Sequence, residues 1–458
     1  MRRVSAEKKV INGPGSRSET RYQNGRKALG WYAELSRSER STFWACYGGW
    51  ALDAMDVQLY TFLIPTLSMV WSMSKADAGL IASSALVTSA IGGWLTGVLA
   101  DRYGRVRMLQ IAILWYSLFT AASGLTNSFG ELLIVRSLQG FGFGGEWTVG
   151  AVLMGEIVRA KNRGKAVGTL QSGWALGWAM AALLSTFVLT SMPTEWGWRV
   201  MFFIGATPAL MLFFIRRQVK EPQLFLGNVA SREPENFVAS LGRIFSVRLL
   251  RTTMLCSLLS TGALGGYYSV MIWLPTFLRL ERGLTVISSG LYLAVVIGGA
   301  FAGYITGAYL ADLLGRRMNF LLYALGCMVI IGIYTNVVIS NDVMLFLGFP
   351  LGFFSTGVFS GIGPFLTELF PTSVRGAGQG FSYNFGRAIG ALFPALVGHL
   401  SATMTLGHSI GIFSGGAYGL LVVAAYCLPE TNGKELTDTE GGMLDYLGAK
   451  TGLGSGKV

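Results

Sequence analysis

An all-α polytopic membrane fold, with twelve transmembrane helices in two six-helix repeats, is predicted by three features of this 458-residue chain. Charged residues make up only 13% of it, against roughly 25% in soluble domains. Apolar segments of about 20 residues, each long enough to cross a bilayer core, recur along its whole length. Charged patterns in the first half return 211 or 212 positions later in the second.

Residues 1–40 are polar and basic and lack a signal-peptide apolar region, so they read as a disordered cytoplasmic tail. Spans are expected at 43–70, 76–100, 108–126, 130–157, 165–190 and 197–216, forming a first bundle over 41–217. A polar break at 218–250 is the one long linker. The second bundle, 251–430, holds spans at 252–278, 287–311, 318–338, 343–367, 377–401 and 407–428, and a tail follows at 431–458. With the N-terminus inside, 30 of the 36 Lys and Arg fall on the cytoplasmic side and four (Lys75, Arg199, Arg279, Arg282) outside. That asymmetry predicts both termini in the cytoplasm. The net charge of +12 is therefore topological and does not indicate nucleic acid. The four cysteines sit within or at the edges of apolar spans without paired spacing, and only two histidines are present, so neither disulfides nor a metal or other cofactor is expected.

Span one carries Asp53 and Asp56, one helical turn apart on one face that Tyr60 continues. Carboxylates inside a bilayer normally face a cavity or a partner and serve a function. Span four adds Arg136, Glu146 and Glu156, with glycines 140, 142, 144 and 145 that let a neighbouring helix approach. A carboxylate held between burial and a nearby arginine can take up and release a proton near neutral pH as that partner moves. Asp53, Asp56 and Glu146 are the candidate proton carriers, with Arg136 modulating them. The competing reading is a permanent ion pair joining spans one and four.

Span eleven contains Arg387 with no acid in its own span, close to Tyr383 and Asn384. Its planar fork suits an anionic ligand, a carboxylate above all. The alternative is an acid on another helix, such as Asp56. Tyr268 in span seven is the repeat counterpart of Asp56 and should face the same cavity, with Gln58, Tyr60 and Gln171 as further candidate substrate contacts. The glycine-rich run 140–145 neither follows a strand nor opens a helix, so it is no nucleotide loop. No nucleophile–base set suggests an enzyme.

The repeat is visible residue by residue. Asp101-Arg102-Tyr-Gly104-Arg105 precedes span three, and Asp312-Leu-Leu-Gly315-Arg316 precedes span nine. Glu156 and Arg163 flank the turn after span four as Glu368 and Arg375 flank that after span ten. All fall on the cytoplasmic face, where they can form ion pairs that hold the halves shut; a plainer role is topology signal or helix cap.

The stretch Gly97-Val-Leu-Ala-Asp101-Arg102-Tyr-Gly104-Arg105 resembles the loop motif of the major facilitator superfamily, with Val106 departing from the usual basic residue. Arg136-Ser-Leu-Gln139-Gly140, Glu368-Leu-Phe-Pro371 through Arg375-Gly376, and Pro429-Glu430-Thr431-Asn-Gly433-Lys434 extend the likeness over roughly residues 40–436. Asp53-Ala-Met-Asp56 resembles the span-one signature of proton-coupled organic-acid importers. Gly144-Gly145-Glu146-Trp147 and Trp273-Leu-Pro275-Thr276 look like the sialate and monocarboxylate branch, whereas Gln58 leans toward the aromatic-acid branch. The resemblance implies a monomeric symporter of the bacterial inner membrane, moving an organic anion (aromatic acid, sialate or small monocarboxylate) with protons. The alternative is proton-antiport efflux, but such exporters usually carry a proline-bearing motif in span five, and 164–190 contains no proline. A transporter-like sensor would usually need an appended domain.

Overall fold

The computed structural model describes residues 32, 35–157, 168–210, 242–371 and 374–431. Most of the expected tails and linker (1–40, 218–250 and 431–458) lies outside these residues. No strand occurs among the described residues.

Helices α1 (Arg37–Trp71), α2 (Lys75–Tyr103), α3 (Arg105–Ser123), α4 (Phe129–Ile157), α5 (Gly173–Ser191) and α6 (Thr194–Gly205) make the first bundle. The second holds α7 (Leu250–Met271), α8 (Val286–Leu313), α9 (Arg316–Asn336), α10 (Asn341–Leu369), α11 (Arg375–Gly390, continued as Phe393–Leu400) and α12 (Leu406–Cys427). Among the described residues eight helices are long and apolar enough to cross a membrane by length and composition. Helices α1, α4, α6 and α11 fall outside that set; α6 is short, and the other three carry intramembrane charge: Asp53 and Asp56, Arg136 and Glu146, and Arg387.

Polar caps start the helices where the sequence turns. Ser36 with Glu39 and Ser74 with Asp77 form capping boxes on α1 and α2. Thr285, Ser340 and Thr405 accept from the first turns of α8, α10 and α12. Gly104 (φ 103°) and Gly315 (φ 91°) hold the same left-handed turn before α3 and α9, 211 positions apart, a conformation that costs any other residue strain. The repeat is therefore geometric as well as sequential. It extends to packing: Gly92 and Gly144 bring the backbones of α2 and α4 together so closely that a Cβ at either would strike the partner's backbone. Gly299 and Gly352 do the same for α8 and α10.

The end of the molecule where α1 begins is the one expected from the sequence to be inner, and the opposite end is termed outer. At the outer end the two bundles touch. The Ala395 amide on α11 donates to the Ser83 hydroxyl on α2 at 3.0 Å, and a Cβ on Gly79 would lie 2.6 Å from the Pro394 carbonyl. Gly290 of α8 packs against Thr186 of α5.

Candidate functional site

Between the bundles lies a central cavity, about 510 Å³ when the space open to solvent is counted. Its walls include Gln58, Tyr60, Arg136, Gln139 and Phe143 from the first bundle, with Trp174 on α5 and Tyr267 and Tyr268 on α7. Tyr268 thus occupies the wall its repeat position predicts.

The first bundle gathers the acids. Asp56, Arg136 and Glu146 are at most 3% exposed and Asp53 is fully buried. Asp56 is the partner of Arg136: Nη1 lies 3.5 Å from Oδ1, the Thr120 hydroxyl donates to Oδ1 at 2.9 Å, and Gln139 Nε2 donates to Oδ2. The guanidinium also lies over the rings of Tyr60 at 5.5 Å and Phe202 at 5.8 Å. This carboxylate is fully furnished with donors, as a buried charge must be.

Asp53, one turn earlier, differs. Neither carboxyl oxygen has a hydrogen-bond partner among the described residues. The groups facing it are the Glu146 carboxyl and the Tyr116 hydroxyl. Glu146 reaches this place because α1 has Gly49 there, where a Cβ would lie 2.5 Å from Glu146 Oε1. Two carboxyls in one dry pocket without a cation can share protons, since like charges at close range disfavour double ionisation.

The second bundle supplies the cation. Arg387 is 2% exposed, its Nε and Nη1 make no hydrogen bond, and no carboxylate pairs with it among the described residues. Its guanidinium lies 5.1 Å from the Tyr383 ring and 5.7 Å from the Phe143 ring, and Tyr268 faces it. Asp56 is paired with Arg136, and no other acid pairs with Arg387 among the described residues. Asn384 turns its amide to the Gly380 carbonyl at 3.1 Å and leaves Oδ1 without a partner. Gln58 Nε2 and Gln171 Oε1 are likewise unpartnered, whereas the Tyr60 hydroxyl is engaged with the Ala78 carbonyl at 2.9 Å. Of the candidate substrate contacts, Gln58, Tyr60 and Tyr268 line the cavity, whereas Gln171, Tyr383, Asn384 and Arg387 do not.

The two sets meet across the seam. Trp174 Nε1 of α5 donates to the Tyr267 hydroxyl of α7 at 2.6 Å, and Trp50 packs on Trp174 with ring centroids 4.8 Å apart.

Of the expected inner gate, Arg316 and Glu368 are described and paired, with Nη2 to Oε1 at 3.0 Å, joining α9 to α10 within the second bundle. Thr431 donates to Glu368 at 2.5 Å, and Glu430 accepts from the Arg316 and Arg317 amides at 2.9 Å each. Arg163 and the side chains of Asp101, Arg102, Arg105, Glu156, Asp312 and Arg375 lie outside the described residues. Thr120, Gln139 and Tyr116 around the acids, and Glu430, escaped the sequence reading of the site. Gln139 carried a signal, standing one turn from Arg136 on the same face.

The family model for the Major Facilitator Superfamily matches residues 47–394. The probable 4-methylmuconolactone transporter of Cupriavidus pinatubonensis is 43% identical over 88% of this chain and 93% of its own length. The cis,cis-muconate transport protein of Acinetobacter baylyi is 32% identical, covering 80% of this chain and 88% of itself. Among solved structures, the proton:xylose symporter XylE superposes with a TM-score of 0.69 at 22% identity, over 87% of this chain and 97% of that one, a likeness of fold.

Proposed function

The chain belongs to the Major Facilitator Superfamily, and we propose that it is a symporter importing a small organic anion with protons by alternating access. It is a multi-pass membrane protein and a transporter, not an enzyme. The observation that carries the proposal is the division of buried charge between the bundles: Asp53, Asp56 and Glu146 in the first, and in the second Arg387, which no acid pairs among the described residues. In this reading Arg387 receives the substrate carboxylate, aided by Tyr268, Tyr383 and Asn384. The Asp53–Glu146 pair carries the proton, and Asp56 with Arg136 relays its charge state to the helices.

Relatives named for muconolactone and muconate favour a small unsaturated acid. Aromatic rings on the cavity wall suit a flat, conjugated body. The protein sits in the bacterial inner membrane with both termini cytoplasmic, as a monomer; the excess of Lys and Arg on the inner loops supports that orientation.

The test is purified protein in liposomes containing a pH-sensitive dye, offered cis,cis-muconate, 4-methylmuconolactone, benzoate, sialate and the amide of benzoate. Lumen acidification with carboxylates but not with the amide is expected. Alkalinisation driven by the same solutes would replace symport with antiport.

A further inference from the structure

A second, smaller cavity, about 250 Å³ when the space open to solvent is counted, lies at the outer end of the bundle interface, distinct from the central one. Phe62 of α1 with Thr186 and Leu189 of α5 form its first-bundle wall, while Pro275, just beyond α7, with Ser289 and Gly290 of α8 form the other. The charged group on its lining is Arg279.

How Arg279 comes to face this cavity follows from its segment. Beyond α7 the chain runs through a short helical turn, Leu274–Thr276, into a π-helical turn over Phe277–Glu281, after which the Arg282 amide donates to the Phe277 carbonyl. Such turns re-aim side chains and recur at functional positions. Both neighbours in the turn are committed elsewhere. Glu281 caps α12 through the amides of Leu406 and Gly407, and Arg282 binds the Ile339 carbonyl at 2.6 Å. The other outer arginine, Arg199, is held by the carbonyls of Gly124 and Thr126 at 2.8 Å each. Arg279 alone among the described outer arginines has no hydrogen bond or ion pair, although it is only partly exposed.

A half-buried guanidinium without a counter-charge among the described residues, set against apolar walls of Phe62, Leu189 and Pro275, matches one kind of guest. That guest is an anion with a compact apolar body. The nearby hydroxyls of Ser185, Thr186 and Ser289 each donate to a carbonyl of their own helix, which leaves Arg279 as the one strong donor. One charged contact without supporting donors makes a weak site, suited to capture and release rather than to retention.

We propose that Arg279 and this cavity form an outer reception site for organic carboxylates, through which the substrate passes before reaching Arg387. The inference rests on the proposed import of an organic anion. Both bundles line the site, so it is remade each time they rock.

The experiment separates the two. In a Cys427→Ser background, Thr186→Cys is treated from outside with an anionic and a cationic methanethiosulfonate reagent, with and without Arg279→Gln. An anionic preference of about tenfold, of the size that local steering produces, is expected. It should vanish in Arg279→Gln and be suppressed by millimolar benzoate or cis,cis-muconate. Equal rates for both reagents, or no modification by either, overturn the site whatever the transport mode proves to be. In the transport arm, Arg279→Gln is expected to raise KM for cis,cis-muconate severalfold with the maximal rate retained and to flatten its dependence on ionic strength, while Arg279→Lys restores both. An unchanged KM and salt dependence overturn the role in uptake. Failure of the wild type to move any carboxylate, with the reagent preference intact, would instead sink the import reading and leave the anion site standing.

Discussion

Replacing Asp56 by Asn tests the core of the first bundle most directly. Asp56 accepts from Thr120 and Gln139 and pairs with Arg136, all buried. The substitution keeps the volume and removes the charge, so Arg136 is left as an uncompensated buried cation. Breaking such a pair on one side costs about 3–5 kcal/mol, whereas removing both partners is often close to neutral. At roughly 2–4 °C per kcal/mol for a body the size of one bundle, even 3 kcal/mol lowers the melting temperature by about 6–12 °C. The assay is tryptophan-fluorescence melting in detergent, alongside concentrative uptake in liposomes. Asp56→Asn is expected to melt early and to accumulate nothing. Asp56→Asn with Arg136→Gln should recover most of the melting temperature, short of what Arg136 contributes over Tyr60 and Phe202, and still accumulate nothing. A single variant as stable as wild type, or a double variant no better than the single, would refute the argument that the pair is held by mutual neutralisation.

Further outcomes follow from the same geometry. Asp53→Asn and Glu146→Gln are expected to lose proton-driven accumulation while retaining substrate counterflow, since the pair they disrupt has no other role in the proposed cycle; loss of both activities would assign them to substrate binding. Arg387→Gln should raise KM by about tenfold or more, the loss of one charge-assisted contact of about 1.5–3 kcal/mol, and Arg387→Lys should recover only part of it because the planar fork is lost. Titration of counterflow rates checks this. Gly144→Ala should lower the melting temperature although alanine favours helix by about 1 kcal/mol, because its Cβ would meet the Ser89 carbonyl on α2; a rise would show that the α2–α4 contact gives way freely.

The legibility of the site tracked how unusual each residue is in its surroundings. Asp53, Asp56, Glu146, Arg136 and Arg387 were readable because charge inside an apolar run is rare and costly. Their grouping was less so. Depth alone made Asp53 and Asp56 equal candidates for Arg136, and three-dimensional packing gave it to Asp56 while Gly49 admitted Glu146 beside Asp53. Thr120 and Tyr116 were invisible, since hydroxyls in membrane helices mostly bond their own backbone, as Thr186 and Ser185 do here. The fold was legible because two independent periodicities agreed: apolar spans and the 211–212 offset that the paired turns at Gly104 and Gly315 realise. The π-turn at Phe277–Glu281 was not, because apolar patterning carries no sign of a change from i+4 to i+5 bonding. Arg279 accordingly read as one more outer cation.

The proposed symport can be argued from where the charges stand, without a direct contact between proton and substrate. Phe143 occupies the face of α4 between Gln139, which binds Asp56, and Glu146, and its ring meets Arg387 of the other bundle at 5.7 Å. An anion bound at Arg387 therefore sits across this ring from the carboxyl cluster. Two unit charges at a separation on the order of 10 Å, in surroundings of effective dielectric about 20, repel by about 1.7 kcal/mol. That is a little over tenfold in affinity, so a proton on the Asp53–Glu146 pair strengthens anion binding by about that factor, and by linkage the anion strengthens proton binding equally. The neutral variants Asp53→Asn and Glu146→Gln then bind the anion at least as tightly as wild type while losing the gradient that drives it. The hydrogen bond from Trp174 to Tyr267 joins the two bundles at the same level. Substrate and proton occupancy thus bear on one seam, and the loaded and empty states neutralise it, whereas a lone anion does not.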